Sequence, residues 1–587
     1  MTGPGRPPVT TASTTRRVRT WWSGRFGNRT TVLADLKAGS VLGLESVPDG
    51  LANGLLAGVN PLLALHGYLV GTVVGALSTS TVLMSVQATG AMAVIISDVP
   101  QTQTGDARAQ EALAVLALLS GVGMLVLGIA RLGSLVRFVP SSVLVGFVNA
   151  VAINIILSQV DEVTGYQSDA TNRVLKALDT VVHPGQIQWA SVVVAAITIG
   201  LIVLLERTPL GALGMVVAIA LGSALPVVLD ALGTTVLAVP VLSDIVTVPR
   251  SLPGLQMPSL GLVAAMVVPA LSLVFVGLVQ GAAIGGTMTR PDGSANDPSG
   301  DFRGQGIANL ATSVLQGTPV AGSMSATNLV RAAGGRTATA NLFAGVVMAA
   351  SILLLSDVVG YIAMPALGGL LMLIGWRSLK VDQLVLTWRT GAVPATTMAI
   401  TFVLTLIIPL QYAVLVGVGL AVLLHVARQS NQVVVKHWVF DDDHGFPTEA
   451  DPPAELPPGE VVVLATYGSL FFASAAAFES QLPRPVGEGT HGVVVLRLRA
   501  KDELGSTVVK VLIRYAEQLA TCDARLMLCG VTPGVRRQLD DTGLAAQLGG
   551  DSVFMAHARV GLSVREAVER AEQWIAESSE AAPPAGP

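Results

Sequence analysis

The sequence predicts a polytopic α-helical membrane protein of fourteen apolar segments, followed by a soluble α/β domain. Three observations point there. Hydrophobic residues make up 51% of the chain and charged residues only 13%, where a soluble domain has about 25% charged. The charges sit almost entirely outside an apolar block that runs over 31–428. Beyond it the composition turns acidic and Pro-rich, and then alternates between strand-like and helix-like stretches. The 62 glycines fit close helix packing in a bilayer. The formal net charge of −4 says little, because it reports only the flanking regions.

Residues 1–30 are rich in Thr, Arg, Pro and Gly and read as a disordered segment without the apolar core of a cleavable signal peptide. Arg16, Arg17, Arg19, Arg25 and Arg29 precede the first span, so the positive-inside rule puts that end in the cytoplasm. Apolar segments follow near 36–57, 60–78, 85–97, 110–130, 140–159, 188–205, 211–229, 258–284, 306–317, 323–333, 340–356, 360–376, 394–409 and 411–428. An even count returns the C-terminus to the cytoplasm. The short segments near 85–97 and 323–333 occupy corresponding places in the two halves, which points to inverted repeats and a midplane site. Residues 429–459 read as a linker. Within 460–577, VVVLATY, GVVVLRLRA and RLMLCGV are strand patterns, and VVKVLIRYAEQLA and VRRQLDDTG are helix patterns. The end, 578–587, reads as a disordered tail.

The stretch from Gly304 to Val330 carries no charge, yet Gly317-Thr318-Pro319 breaks it in the middle. An intact membrane helix needs about 20 continuous apolar residues, so two short helices meeting inside the membrane fit better than one span. Non-helical backbone at that depth must be buried in protein or line a cavity. A second half beginning near Gly322, Ser323, Met324 and Ser325 would present free N–H groups, hydroxyls and a positive dipole end, which together form an anion site. Glu45 and Asp49 are the only acids between Asp35 and Asp98, and their i, i+4 spacing puts them on one helix face. A carboxylate at membrane depth is a functional hypothesis by default; the plainer reading of Glu45 is a solvated charge at the interface. Seven scattered histidines and two cysteines, Cys522 and Cys529, form no metal spacing. No catalytic constellation appears in either region, and neither an enzyme nor a cofactor is expected.

With these elements in place, the sequence resembles the sulfate permease (SulP) family of anion transporters, related to the animal solute carriers that include prestin. The resemblance rests on VPDGLANGLLAGVNP at 47–61, GQG-IAN at 304–309 and GGRT at 334–337. The soluble part resembles a STAS domain through GSLFFASA at 468–475, VVLRLR at 494–499 and GVTPGVRRQLDDTGL at 530–544. The resemblance implies a 7+7 inverted repeat with core and gate domains. It also implies a homodimer in the cell membrane, an elevator motion, and a cytoplasmic STAS domain open to a protein partner.

The same resemblance places substrate. Ser85, Val86, Gln87 and Ala88 would form the tip of the third segment, facing Gly322, Ser323, Met324 and Ser325 at the tip of the tenth. Two opposed N-termini supply about one positive charge from partial dipoles. Alternatively, the serines hydrogen-bond within their own helices. Family members often have Pro at Ala88, and animal relatives Arg at Ala326, so the site lacks a fixed cation. Asp49 stands where the family usually has Gln near the substrate; ionised it would repel an anion, and protonated it could carry a proton. The expectation is proton-coupled symport of sulfate, bicarbonate or a C4-dicarboxylate, with Asp49 or Glu45 as proton carrier. Gln280 and Ile284 stand where sodium-coupled members have Asp and Thr, which disfavours sodium. Gln280 either reaches substrate or makes a helix–helix contact. Ser506 falls at the phosphorylatable serine of STAS regulators, though Gly505 and Val508 depart from the motif, and helix N-capping by Ser506 or Thr507 is the plainer reading. A passive channel or a STAS-linked sensor stands as the alternative.

Overall fold

The computed structural model of the chain describes residues 25–26, 30–103, 108–133, 139–170, 172–231, 239–245, 251–288, 297–430, 432–440, 447–487 and 489–581. Of the segment 1–30 expected to be disordered, only Arg25, Phe26 and Thr30 are described, and Arg25 departs from that expectation: it is buried, with Nε donating to the Ala76 carbonyl oxygen at 2.9 Å; 582–587 also lies outside the described residues. Two compact units emerge, Met1–Ala421 and Val422–Pro587.

Each half of the apolar block contributes seven elements in the order expected, the last of which runs past Ala421 into the second unit. The first half runs α1 (Val32–Leu56), α2 (Pro61–Ser78), β1 (Ser85–Gln87) with α3 (Gly90–Ser97), α4 (Ala109–Ile129), α5 (Ser141–Ser158), α6 (Trp189–Leu205) and α7 (Leu213–Ala231). The second runs α8 (Val263–Thr287), α9 (Pro298–Val314), β2 (Ala321–Ser323) with α10 (Met324–Ala332), α11 (Thr339–Leu354), α12 (Met364–Ser378), α13 (Ala392–Ile407) and α14 (Leu410–Ser430). Four helices among the described residues are long and apolar enough to cross a membrane, including Ala109–Ile129 and Val263–Gly285. The third element of each half is far too short to do so, at 8 residues for α3 and 9 for α10.

Small residues let these helices approach closely. A Cβ on Gly121 of α4 would sit 2.9 Å from the Gly306 carbonyl oxygen, and one on Gly306 of α9 would sit 2.9 Å from that of Gly121. Only glycine fits at both positions, and α4 and α9 pack backbone against backbone. Two buried carboxylates tie helix starts to distant loops. Asp35, in the first turn of α1, accepts from Arg336 N at 2.7 Å and Thr337 Oγ1 at 2.6 Å. Asp301, in the first turn of α9, accepts from Ser80 Oγ at 2.8 Å and from Thr81 N and Oγ1 at 2.6 Å.

The break expected at Gly317-Thr318-Pro319 is present, but the helix before it begins at Pro298 rather than near 306. The sequence reading stopped at Arg303 and Asp301, charges that the structure absorbs in the first two turns. Beyond Val314 the chain turns through Gln316 at φ 52°. The buried backbone that follows finds its partners in side chains of α9. Val320 N donates to Asn309 Oδ1 at 2.8 Å, Asn309 Nδ2 donates to Val320 O at 2.7 Å, and Gly322 N donates to Gln305 Oε1 at 3.1 Å. The amides of GQG-IAN, one helical turn apart, therefore replace the ladder that an unbroken helix would supply.

The second unit is a six-stranded sheet in the order β4-β3-β5-β6-β7-β8. Its strands are β3 (Val434–Phe440), β4 (Pro447–Ala450), β5 (Val461–Tyr467), β6 (Val493–Arg497), β7 (Arg525–Val531) and β8 (Val553–Met555). β5 to β8 are parallel, while β3 runs antiparallel to both its neighbours. The helices α15 (Ser506–Ala520), α16 (Pro533–Asp541) and α17 (Leu562–Ala581) complete the alternation. Two expectations need correction. Residues 434–440 and 447–450 lie within the stretch read as linker, yet they form a hairpin on the sheet. Val433 and Val435 alternate into its core, and Gln481 bonds the Val435 N–H and the Val433 carbonyl. Residues 578–581, read as tail, continue α17.

Candidate functional site

β1 and β2 form a two-stranded antiparallel ladder that pairs Ser85 with Ser323, Val86 with Gly322 and Gln87 with Ala321. Each strand feeds directly into a short helix. Because the strands are antiparallel, α3 and α10 leave the ladder from opposite ends and run in opposite directions. Their N-termini face each other across it, and both positive dipole ends converge on the same place.

The caps differ from those expected at α3. Its N-cap is Thr89, whose Oγ1 accepts from Met92 N, while Ala93 N donates to the Thr89 carbonyl. The helix tip is thus Thr89 and Gly90, not Ser85 to Ala88. Those residues are extended and buried. Ser85 Oγ donates to Asn341 Oδ1 at 2.8 Å, and its N–H reaches Thr327 Oγ1 at 3.1 Å. Val86 sits in an apolar cluster with Met84, Ile284 and Val320. Gln87 Nε2 bonds Ser46 Oγ at 2.9 Å and Thr72 Oγ1 at 3.2 Å. These three side chains fix the ladder to its neighbours; they do not project from a helix tip.

At α10 the expected residues hold their places. Ser323 is the N-cap, with Oγ accepting from Ala326 N at 3.3 Å and meeting Ser325 Oγ at 3.1 Å. Gly322 is buried in β2, Met324 opens the helix half-buried, and Ser325 is exposed. Gln280 comes to the same place from α8. Its amide lies within 3.1 Å of Thr89 Oγ1, which couples it to the α3 cap. Ile284, one turn on, belongs to the apolar cluster behind the ladder.

Asp49 projects from α1 into a hydrogen-bonded group the sequence did not reveal. Its Oδ2 accepts from Tyr68 Oη at 2.7 Å, and its Oδ1 accepts from Asn53 Nδ2 at 3.2 Å. Asn53 Nδ2 also lies 2.8 Å from Tyr68 Oη. Asn53 reaches α3, for a Cβ on Gly90 would stand 3.7 Å from its Oδ1. Glu45 lies one turn before Asp49 and is half-buried. Among the described residues, no lysine or arginine is hydrogen-bonded to Asp49, Thr89, Gln280, Ser323 or Ser325. The site therefore combines two dipole ends, a few hydroxyls and amides, and one carboxyl group.

Thr89, Asn53 and Tyr68 were missed in the sequence. Thr89 carried a usable signal, a threonine immediately before the apolar run GAMAVII. Asn53 stands four residues after Asp49, a weaker one. Nothing local marks Tyr68. In the second unit, Ser506 is exposed at the first position of α15. The N-cap is Gly505, with no side-chain cap bond, so the expectation of capping by Ser506 or Thr507 is not met.

Comparison with known proteins gives a consistent picture. Residues 32–401 match the model of the sulfate permease family, and residues 454–567 match the STAS domain. The chain is 23% identical to "Sulfate transporter 4.1, chloroplastic" of Arabidopsis thaliana, covering 96% of this chain and 83% of the relative. It is 23% identical to "Bicarbonate transporter BicA" of Picosynechococcus sp., covering 89% and 93%. The solved structure of SLC26A9 superposes with a TM-score of 0.83 at 17% identity, over 97% of this chain and 96% of that one. That likeness shows a shared fold of a membrane unit followed by a STAS domain.

Proposed function

The chain belongs to the sulfate permease family, and on that premise we propose that it is a secondary active transporter of small anions, coupled to protons through Asp49. The observation that carries this reading is the β1–β2 ladder, which aims two helix N-termini at one place. An anion held there meets backbone N–H groups, the Thr89 and Ser323 caps and the Gln280 amide, without a basic side chain. Such donors bind anions through dipoles fixed by the fold.

Asp49 supplies the coupling. With its carboxylate ionised beside the dipole ends, it competes with the anion for the same positive potential. Once protonated it loses that repulsion and keeps Tyr68 and Asn53 as partners. Anion and proton then bind more favourably together than either does alone, which is the thermodynamic requirement for symport. Glu45, a turn away, is the second carboxyl group on that face and a relay for the same proton. Sulfate, bicarbonate and C4-dicarboxylates are all of a size and charge for such a site. A homodimer with cytoplasmic termini and an elevator movement of the core belong to the same proposal, on the strength of the family resemblance and the arginines before the first span.

The test is uptake of labelled sulfate, bicarbonate and fumarate into proteoliposomes with an inward proton gradient, comparing the native chain with Asp49→Asn. Accumulation of one anion, abolished in the variant, is the expected result. Equilibration without accumulation in both proteins would favour a channel. No uptake of any anion would turn attention to a sensing role for the membrane unit.

A further inference from the structure

Between α12 and α13 lies a connecting helix of 10 residues, Val381–Thr390, that the central site does not use. Its start is pinned by the Lys380 N–H, which donates to Asn149 Oδ1 on α5 at 2.8 Å. Its end turns at Gly391, φ 149°, and α13 begins at the next residue. The two helices meet there at a corner, which encloses a groove of about 380 Å³. Sites for small apolar ligands span about 300–1,000 Å³.

The connecting helix lines the groove with Leu384, Val385 and Trp388, and α13 lines it with Met398, Ala399, Phe402 and Val403. Both sets follow the i, i+1, i+4 spacing of a single helix face, and all of these side chains are apolar. Trp388 is 63% exposed and Val403 48%, so the groove opens to the surroundings of the protein. Along α13 those surroundings are lipid, for no Asp, Glu, Lys or Arg occurs between Arg389 and Arg428.

Charge sets the depth of the corner. Arg377, Lys380, Asp382 and Arg389 are too costly to place in hydrocarbon, which puts the connecting helix at the headgroup level. Exposed Trp376 and Trp388 mark the same boundary. Arg377 is already held by Glu206 through hydrogen bonds of 2.9 and 2.6 Å. Arg389 is exposed and has no ion-pair partner among the described residues. It lies about 40° round the helix from Val385, at the rim of the groove. Asp382, the one acid of the helix, is about two turns away. An apolar slot with an unpaired cation at its mouth complements an acyl chain joined to a phosphate.

We propose that this groove binds one anionic phospholipid, with an acyl chain against Trp388 and Phe402 and the phosphate on Arg389. The lipid fills a corner that the chain's own residues leave open and holds the connecting helix to α13. The inference needs only that the protein crosses a bilayer, and it stands apart from the substrate and coupling readings above.

Native mass spectrometry of the purified full chain tests it, by titration with phosphatidylglycerol or with phosphatidylcholine of the same acyl chains. The native chain should favour phosphatidylglycerol by about 5-fold, the worth of one cation near a membrane surface. Arg389→Gln should bring the two lipids within about 2-fold by weakening phosphatidylglycerol alone. Arg389→Lys should keep the preference, since a point charge serves a single phosphate. Ala399→Phe, which fills the groove, should weaken both lipids by about 10-fold. Trp388→Ala, at an exposed wall, should weaken both by less and guards against a variant that fails to fold. Glycerol 3-phosphate, which has the phosphate and no chain, should not compete. Equal affinity of the native chain for the two lipids, a preference that survives Arg389→Gln, or displacement by glycerol 3-phosphate would overturn the inference. So would loss of a dimeric mass in Ala399→Phe with lipid binding unchanged, which would make the groove an interface between copies of the chain.

Discussion

The two half-helices at the centre of the membrane unit are built on the same plan and anchored by different means. In the first half, the side chains of β1 hold the strand: Ser85 bonds Asn341, and Gln87 bonds Ser46 and Thr72. In the second, the backbone of 320–322 is held by the side chains of Gln305 and Asn309 on α9. The polar groups at the centre are distributed unevenly as well. Asp49, Asn53, Tyr68 and Gln280 gather around the α3 tip, whereas α10 offers mainly Ser323 and Ser325. In the proposed reading the coupling chemistry therefore belongs to the first half-helix, and the second is the braced wall against which it works.

That asymmetry makes Asn309 the most sensitive position. Asn309→Leu strands a buried N–H and a buried carbonyl, each worth about 1–3 kcal/mol, so thermal unfolding should fall by several degrees and transport should disappear. Gln87→Leu tests the other anchor. It leaves two hydroxyls that can turn to helix carbonyls, and should cost only about 1 kcal/mol. Equal losses in these two variants would erase the distinction between the halves.

The next effect is functional and not structural. Asp49→Asn keeps a side chain able to bond Tyr68, so unfolding temperature should hold while gradient-driven accumulation is lost. Smaller still are the caps. Thr89→Ala and Ser323→Ala should each cost about 1 kcal/mol of stability. Thr89→Ala should also raise KM by about 2- to 10-fold, because it removes the partner of Gln280. Ser323→Ala should move KM less. Ser506→Ala sets the floor: an exposed first-turn residue without a cap bond should shift stability by less than about 0.5 kcal/mol.

Much of the membrane unit was legible in the sequence because its signals are long. Apolar runs speak over ten or more residues, and the Gly317-Thr318-Pro319 break shows because it interrupts one of them. The short elements were not, since a three-residue strand such as Ser85–Gln87 has no room to show a period. That is why the α3 tip was placed four residues too early, although Thr89 bore the mark of a cap. Strand β3 was hidden by the opposite effect, an alternating run embedded in acidic, Pro-rich surroundings that read as linker. Asp49 could be singled out because a carboxylate amid apolar residues is conspicuous. Its partner Tyr68 could not, because their meeting depends on how α1 packs against α2 and leaves no local trace. The central site follows the same division. Asp49 could be named from composition, whereas Tyr68, placed beside it only by packing, could not.

The central claim is that the proton and the anion share one site through Asp49. A pH-sensitive dye trapped inside proteoliposomes tests it with no imposed gradient, by reporting whether anion addition outside carries protons inward. The native chain should acidify the lumen on addition of a transported anion, and Asp49→Asn should carry the anion without acidification. Anion entry with no pH change in the native protein, or unchanged acidification in the variant, would contradict the account.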